Sequence, residues 1–506
     1  MYTSQDSYSP IITLHRQVQA LISLLEVAER SQKGPKLAEK EWNLSMFTKM
    51  KELTKKHQLK ISIINNPYEV DQHYADRLFT AAVDFLCEMG VYCVTTNRAI
   101  RFTENEVKEA CREAPAELSI GTNQDIRTLR QRVIEDSRPP SISTGGHSAW
   151  NEALMPLENM VKELVTIPRV DFLEGFNYHR VFGREVHGTP LVVYAARKAI
   201  ERVRRGVQLA GRAGLALCYY PILTTAAALI APKDEQRGLR SSDGVLLSVL
   251  PDLKVETDLI AAALFYEEYG CFRQNGGTGG SVGGFAGGYE GAMIEAVVRN
   301  LAAWMVYRDV LQYGGGVGRM RRGPWSPTVQ TALQHTGDYL FQNAEDAQKG
   351  AWCSFAVYQA LRRHKATIIS GGGGSGGQVD DQSTMENLLL TAISTIRGTL
   401  MGSYLSYLWT PPPSTVTWGV EVSNATLRAH IKLADLEELL GQIRCEKLQG
   451  YDVSRDRRIL LYSDPHRFFN SHQLAYDYVK QQPTERFLEN RRIAIDYLEG
   501  LGLSFS

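Results

Sequence analysis

The sequence predicts an α/β fold, a (β/α)8 TIM barrel, and three observations point there. From residue 140 onward, short apolar runs that end in Gly or polar residues alternate with longer helical stretches. About eight such units follow one another, which favours a closed barrel over an open sheet. The balance of 43% apolar and 22% charged residues in a chain of 506 supplies a core large enough for a barrel with extensions.

Taken in order, residues 11 to about 30 carry Ile12, Val18, Leu21, Ile22, Leu25 and Val27 at helical spacing, and a Lys-rich stretch from Lys33 to Lys40 reads as a linker. The pattern from Trp42 to Ala114 is helical again, including Phe79, Ala82, Phe85 and Leu86 before Gly90. Val91 to Val94 and Ala99 to Phe102 then read as two strands joined by Thr95-Thr96-Asn97-Arg98. Thr103 and Glu106 form a capping box that starts a helix. Residues 1–135 are therefore expected to be an N-terminal helical extension carrying a small β hairpin.

The barrel is expected over residues 136–422. Its strand candidates are Ser141 to Thr144, Val170 to Glu174, Gly214 to Cys218, Val245 to Leu250, Gly270 to Gln274, Gly315 to Arg319 and Ala366 to Ser370, with a last strand between Leu405 and Val422. Thr189 as N-cap and Pro190 at the first position open a helix from Leu191 to Leu209, and Tyr289 to Tyr307 is a long apolar helix. Residues 423–506 read as a C-terminal helical segment docked on the barrel, with Leu433, Leu436, Leu439 and Leu440 on one face and a last helix from Pro483 to Leu498 capped at Gly500.

Lys plus Arg and Asp plus Glu each total 56, so no net field favours nucleic acid or an anionic membrane. Arg202-Val203-Arg204-Arg205 reads as a solvated helix face. The apolar runs near Leu215 to Leu217 and Ile222 to Ala231 are too short to span a bilayer. Met1 to Pro10 has no basic start and no apolar run, so a cytoplasmic protein is expected. Seven scattered cysteines without a Cys-x-x-Cys pair predict reduced, mostly buried thiols.

Two glycine-rich segments, Asn275 to Gly288 and Gly371 to Gly377, follow predicted strands. In a barrel that is the face where active sites assemble, so both are read as loops for close approach of substrate or partner. Neither contains a nucleotide-binding fingerprint, and no nucleotide is expected.

The series Phe85 to Cys93, Arg101 to Val107, Gly188-Thr189-Pro190, Gly211-Arg212-Ala213-Gly214, Gly283 to Gly288, Pro483-Thr484-Glu485 and Leu501-Gly502-Leu503 resembles the monomethylamine:corrinoid methyltransferase family in order and rough spacing. That resemblance implies a barrel that moves a methyl group from a methylated small molecule to a corrinoid carried by a partner protein. It also exposes departures. The position of the family's pyrrolysine, whose imine captures the amine, falls on Cys218, followed by Tyr219 and Tyr220. Positions of family carboxylates fall near Leu246 and in Gly276-Gly277, and a late Gln and Tyr pair is replaced by the Gly371 to Gly377 run.

A thiol has no imine and is itself a nucleophile, so Cys218 does not reproduce pyrrolysine chemistry. Three readings of it stay open: inert packing, a catalytic thiol or acid, or a zinc ligand with His147, although no close ligand spacing supports a metal. The other strand-end candidates for catalysis are His147, Glu174 and Gln274. Tyr178, Tyr219, Asn275, Gly276 and Gly277 are the substrate-binding candidates. The first expectation is a pyrrolysine-lacking, homo-oligomeric methyltransferase that acts on a methylated small molecule other than monomethylamine. Its alternatives are a barrel enzyme of a biosynthetic pathway that no longer uses corrinoid, and a non-catalytic binding protein on the same scaffold.

Overall fold

A computed structural model describes residues 22–62, 64–146, 150, 152–178, 180–220, 225–275, 279–313, 317–319, 344–365, 369–371, 381–407, 412–448 and 473–506. Eight parallel strands form its central sheet. In chain order they are Ile142–Gly145, Val170–Glu174, Ala216–Tyr219, Gly244–Leu246, Phe272–Asn275, Asp309–Tyr313, Ile369–Gly371 and Leu405–Tyr407. Each of the first six pairs with the next in sequence. The eighth returns to pair with the first, Leu405 opposite Ile142 and Tyr407 opposite Thr144, which is the barrel order. Among the described residues no ladder is recorded between the seventh and eighth strands.

The sixth strand corrects the sequence reading. Helix Tyr289–Tyr307 ends on Arg308 in the left-handed region, and the strand begins at once with Asp309. Val317–Arg319, inside the segment expected to be that strand, instead pairs in parallel with Gly280–Val282 outside the main sheet. The polar Asp309 and Gln312 mask the strand in the sequence. After Leu246 the fourth strand gives way to a short 3-10 turn, and Lys254–Val255 then adds in parallel to Val91–Cys93. The last strand stops at Tyr407, and a helix over Pro413–Ala429 crosses the boundary expected at residue 422.

The N-terminal region is joined to the barrel through that shared strand. Ser23 caps the helix Leu24–Lys33, and residues 1–21 lie outside the described residues. Val91–Cys93 and Arg98–Ile100 form the expected antiparallel hairpin. The capping box is present, with the Thr103 amide donating to Glu106 Oε2 at 2.7 Å and the Glu106 amide donating to Thr103 Oγ1 at 3.3 Å. Trp42, on the helix Glu39–Lys56, is fully buried, stacks on Tyr92 at 5.5 Å and donates to the Asp252 carbonyl at 3.0 Å.

A second hairpin, Glu117–Ile120 with Arg127–Arg130, was not foreseen. It closes the barrel floor: the Thr122 amide donates to the Gly214 carbonyl at 2.9 Å and the Gly121 amide to the Ser242 carbonyl at 3.2 Å. A Cβ on Gly214 would lie 2.1 Å from the Thr122 carbonyl oxygen, so this contact requires glycine.

Arg204 corrects another expectation. It is 1% exposed, pairs with the equally buried Asp243, and donates to the Leu215 carbonyl at 3.1 Å and the Gly238 carbonyl at 3.2 Å. Only Arg205 of that basic run is exposed. At the C-terminus, helices Met385–Leu400, Pro413–Ala429, Leu436–Lys447 and Glu485–Gly500 bury their own apolar cluster, including Leu433, Leu436, Leu439 and Leu440. Gly500 is helical, and the left-handed residue after the helix is Gly502. No helix among the described residues is long and apolar enough to cross a membrane.

Candidate active site in the barrel lumen

Side chains alternate across a strand, so every second residue of the barrel faces the lumen. An apolar cluster separate from the helix-facing core identifies that face: Phe172, Ala216, Cys218, Leu246, Phe272, Leu311 and Tyr404, joined from below by Ile120 and Leu129 of the floor hairpin. Within this largely apolar sleeve lies a cluster of polar residues. Glu174 is 0% exposed, and its Oε1 accepts from Ser143 Oγ at 2.6 Å and from Ser406 Oγ at 3.0 Å. The two serines stand opposite each other in the register of the first and eighth strands and are 2.7 Å apart. Gln274, on the fifth strand, reaches across the lumen and donates from Nε2 to the Tyr404 hydroxyl at 2.9 Å. Tyr404 in turn lies against Phe172, ring centroids 6.0 Å apart.

Glu174 Oε2 and Gln274 Oε1 have no donor among the described residues, and neither oxygen of the buried Asp309 carboxyl, two residues before Leu311 on the sixth strand, has one either. Burying a polar oxygen without a partner is costly, so such atoms mark a place for a ligand or a proton. Burial pushes the Glu174 carboxyl up to about 7, while Ser143, Ser406 and Gln274 pull it down less strongly.

Cys218 pairs with Glu174 in the strand register and is 1% exposed. Burial holds its thiol well above the ordinary value, and the nearby Glu174 and Asp309 carboxyls raise it further. A thiol in that state is neutral and a poor nucleophile, which fits the packing reading. Among the described residues no group of three or more His, Cys, Asp or Glu side chains is arranged to hold a metal ion.

The other sequence candidates fall elsewhere. Tyr219 is fully buried in the helix-facing core, with its hydroxyl 3.4 Å from Asn177 Oδ1. Its one-residue offset from Cys218 turns it away from the lumen. Tyr178 donates to Glu152 Oε1 at 2.9 Å and packs beside Val186 and Val192, also outside the lumen. Asn275 follows Gln274 and is buried. His147, Gly276 and Gly277 lie outside the described residues, as do residues 372–377 of the second glycine run.

Gly280 of the first run has a packing role, because a Cβ there would lie 1.6 Å from the Ala292 carbonyl oxygen of the following helix. Ser143, Ser406 and Tyr404 were missed as site residues. A short strand with small polar residues at both parities does not reveal which of them points inward.

A sequence profile described as monomethylamine methyltransferase MtmB matches residues 22–324. A curated relative in Methanosarcina mazei, monomethylamine methyltransferase MtmB, is 27% identical over 244 residues, which are 47% of this chain and 52% of that protein. A Methanosarcina barkeri relative, MtmB1, is 25% identical over 288 residues, 54% of this chain and 61% of the relative. The chain thus spans about half of the first of these relatives and about three-fifths of the second.

The crystal structure of the Methanosarcina barkeri monomethylamine methyltransferase (MtmB) superposes with a TM-score of 0.76 at 19% identity, covering 96% of this chain and all of that one. The hydroxylamine complex of MtmB gives 0.75 at 20% identity with the same coverage. At these identities the superpositions establish the fold, a TIM barrel.

Proposed function

Because this chain belongs to the monomethylamine methyltransferase MtmB family, we propose that it transfers a methyl group from a small methylated cation other than monomethylamine, such as a quaternary amine, to a corrinoid protein. The observation that carries this reading is the pair of acceptors left open among the described residues, Glu174 Oε2 and Gln274 Oε1, in a lumen walled mostly by apolar side chains. A quaternary nitrogen donates no hydrogen bond, so the match is electrostatic: the Glu174 carboxylate faces the cation's charge, the Gln274 oxygen its polarised methyl groups, and Phe172, Leu246 and Tyr404 its greasy surface. A bound cation lowers the carboxyl's affinity for its proton, so Glu174 ionises as the substrate arrives.

The corrinoid on the partner protein supplies the low-valent cobalt that accepts the methyl group. Everything asked of this chain is binding and orientation. A quaternary nitrogen keeps the C–N electron pair when the methyl group departs and leaves as a neutral amine, so no proton and no imine adduct are required. Monomethylamine lacks that advantage and would need an electrophile of the kind that Cys218, a buried neutral thiol, does not offer. The candidate machinery is therefore Glu174 as counter-ion, Ser143 and Ser406 as its clamp, and Gln274 as the orienting amide.

The test is a screen of methyl donors against cob(I)alamin and a reduced corrinoid protein, followed by the loss of the cobalt(I) absorbance. Turnover with quaternary amines is expected. Absence of transfer from every methylated cation, with either acceptor, would reject the reading.

A further inference from the structure

The chain carries no net charge, yet its cations are unevenly neutralised along the helix Glu39–Lys56. Lys49 pairs with Glu52 at 2.7 Å and Glu88 at 2.6 Å, and Lys56 pairs with Asp84 at 2.7 Å. Lys51, Lys55 and Lys60 are exposed and form no ion pair with any described residue. All three line one groove of about 450 Å³, whose opposite wall is the glycine segment Ala286 to Gly288 and the start of the helix Tyr289–Tyr307.

A second hollow of about 770 Å³ continues it past Lys60 and Glu290 to Lys349. Among the described lining residues, Lys51, Lys55 and Lys60 are the cations without an ion pair and Glu290 is the one acid. Two of the ammonium groups lie over aromatic rings, Lys51 at 4.3 Å from the Phe47 centroid and Lys349 at 5.6 Å from that of Tyr289.

The place matters as much as the charge. The helix Tyr289–Tyr307 follows the fifth barrel strand, so its N-terminus lies on the C-terminal face of the barrel, the side on which the lumen opens to reactants. Its amide ends add positive potential to the lysines. Because the ammonium groups are exposed and screened, each is weak alone, and among the described residues the groove holds no buried charged donor that would fix a small anion. Several such charges spread along a rim act together on an extended acidic surface, where they speed and orient encounter.

We propose that this basic groove docks the acidic face of the corrinoid-carrying protein. The inference rests on the methyl-transfer reading for the identity of its occupant. The groove also assigns a role to the N-terminal extension, which supplies Lys51, Lys55 and Lys60.

The experiment measures association of the whole protein with a hydroxocobalamin-loaded corrinoid protein of the methylamine-dependent class, at low and high salt. The variants are Lys51→Glu/Lys55→Glu/Lys60→Glu and, as a control, Lys33→Glu/Lys108→Glu. In the docking variant the association rate is expected to fall at least about tenfold and to lose most of its salt dependence, while the control binds as the wild type does. Methyl transfer to free cob(I)alamin should be the same in all three proteins.

Lysine-dependent binding without methyl transfer to any acceptor would support the groove and reject the proposed activity. Failure of the wild type to bind, equal binding by the docking variant, or equally tight lysine-dependent binding of a short single-stranded DNA would each overturn the docking proposal.

Discussion

In the proposed function Glu174 is the counter-ion to the substrate, and its burial makes a prediction about stability as well as activity. The folded protein holds the Glu174 proton up to about 7, against an ordinary value of 4.5. Its stabilising contribution is therefore complete below the unfolded value and is lost as pH rises through the folded one. That shift corresponds to ~3 kcal/mol. Denaturant titrations at about pH 5 and about pH 8 should show the wild type losing roughly that much more stability than Glu174→Gln, whose amide does not ionise. The same variant should lower methyl transfer from a cationic donor about a hundredfold or more, because the counter-ion is gone.

Cys218 is expected to behave differently. Cys218→Ser should keep turnover within a few-fold of wild type while costing about 1–3 kcal/mol, since it buries a hydroxyl where a thiol packs. Loss of turnover without loss of stability would assign the thiol a catalytic part. Both residues were legible in the sequence as strand-end candidates. Their serine and tyrosine neighbours were not, because inward and outward positions of a three- or four-residue strand look alike.

Among elements, those with local chemistry were the most readable. The hairpin at Val91, the capping box at Thr103 and the helices from Leu191 and Tyr289 follow from turn residues, caps and periodicity that lie within a few residues of each other. Elements fixed by distant partners were not. The sixth strand begins with a buried Asp309, the floor hairpin has exposed residues on both strands, and Arg204 looked solvated until Asp243 was placed against it.

The Arg204–Asp243 pair ties the helix Leu191–Leu209 to the start of the fourth strand, and both groups are desolvated. Asp243→Ala would leave the guanidinium buried and unpaired, with an expected loss of about 3–5 kcal/mol in chemical denaturation. Arg205→Ala, on the exposed side of the same helix, should stay within about 0.5 kcal/mol of wild type. A small effect of Asp243→Ala would mean that water or another acceptor replaces the carboxylate.

At the scale of the whole molecule, the repeated β-α pattern was enough to predict a closed barrel, because only a closed ring gives both edge strands a parallel partner. The attachment of the N-terminal region was not predictable. It depends on Lys254–Val255, a two-residue strand in a barrel loop, pairing with Val91–Cys93 far away in sequence.

The resulting molecule has a floor sealed by a hairpin, a lumen in which the Glu174 carboxyl is clamped by two serines, and a basic rim lined by residues of the N-terminal region. In the proposed function the lumen accepts a methylated cation that is already activated. The most direct measurement is a single-turnover comparison of tetramethylammonium with monomethylamine, following cobalt(I) to methyl-cobalt(III) absorbance with a reduced corrinoid acceptor and with Glu174→Gln as the control. Methylation from the quaternary donor only, suppressed in Glu174→Gln, is the predicted result; robust methylation from monomethylamine would contradict it.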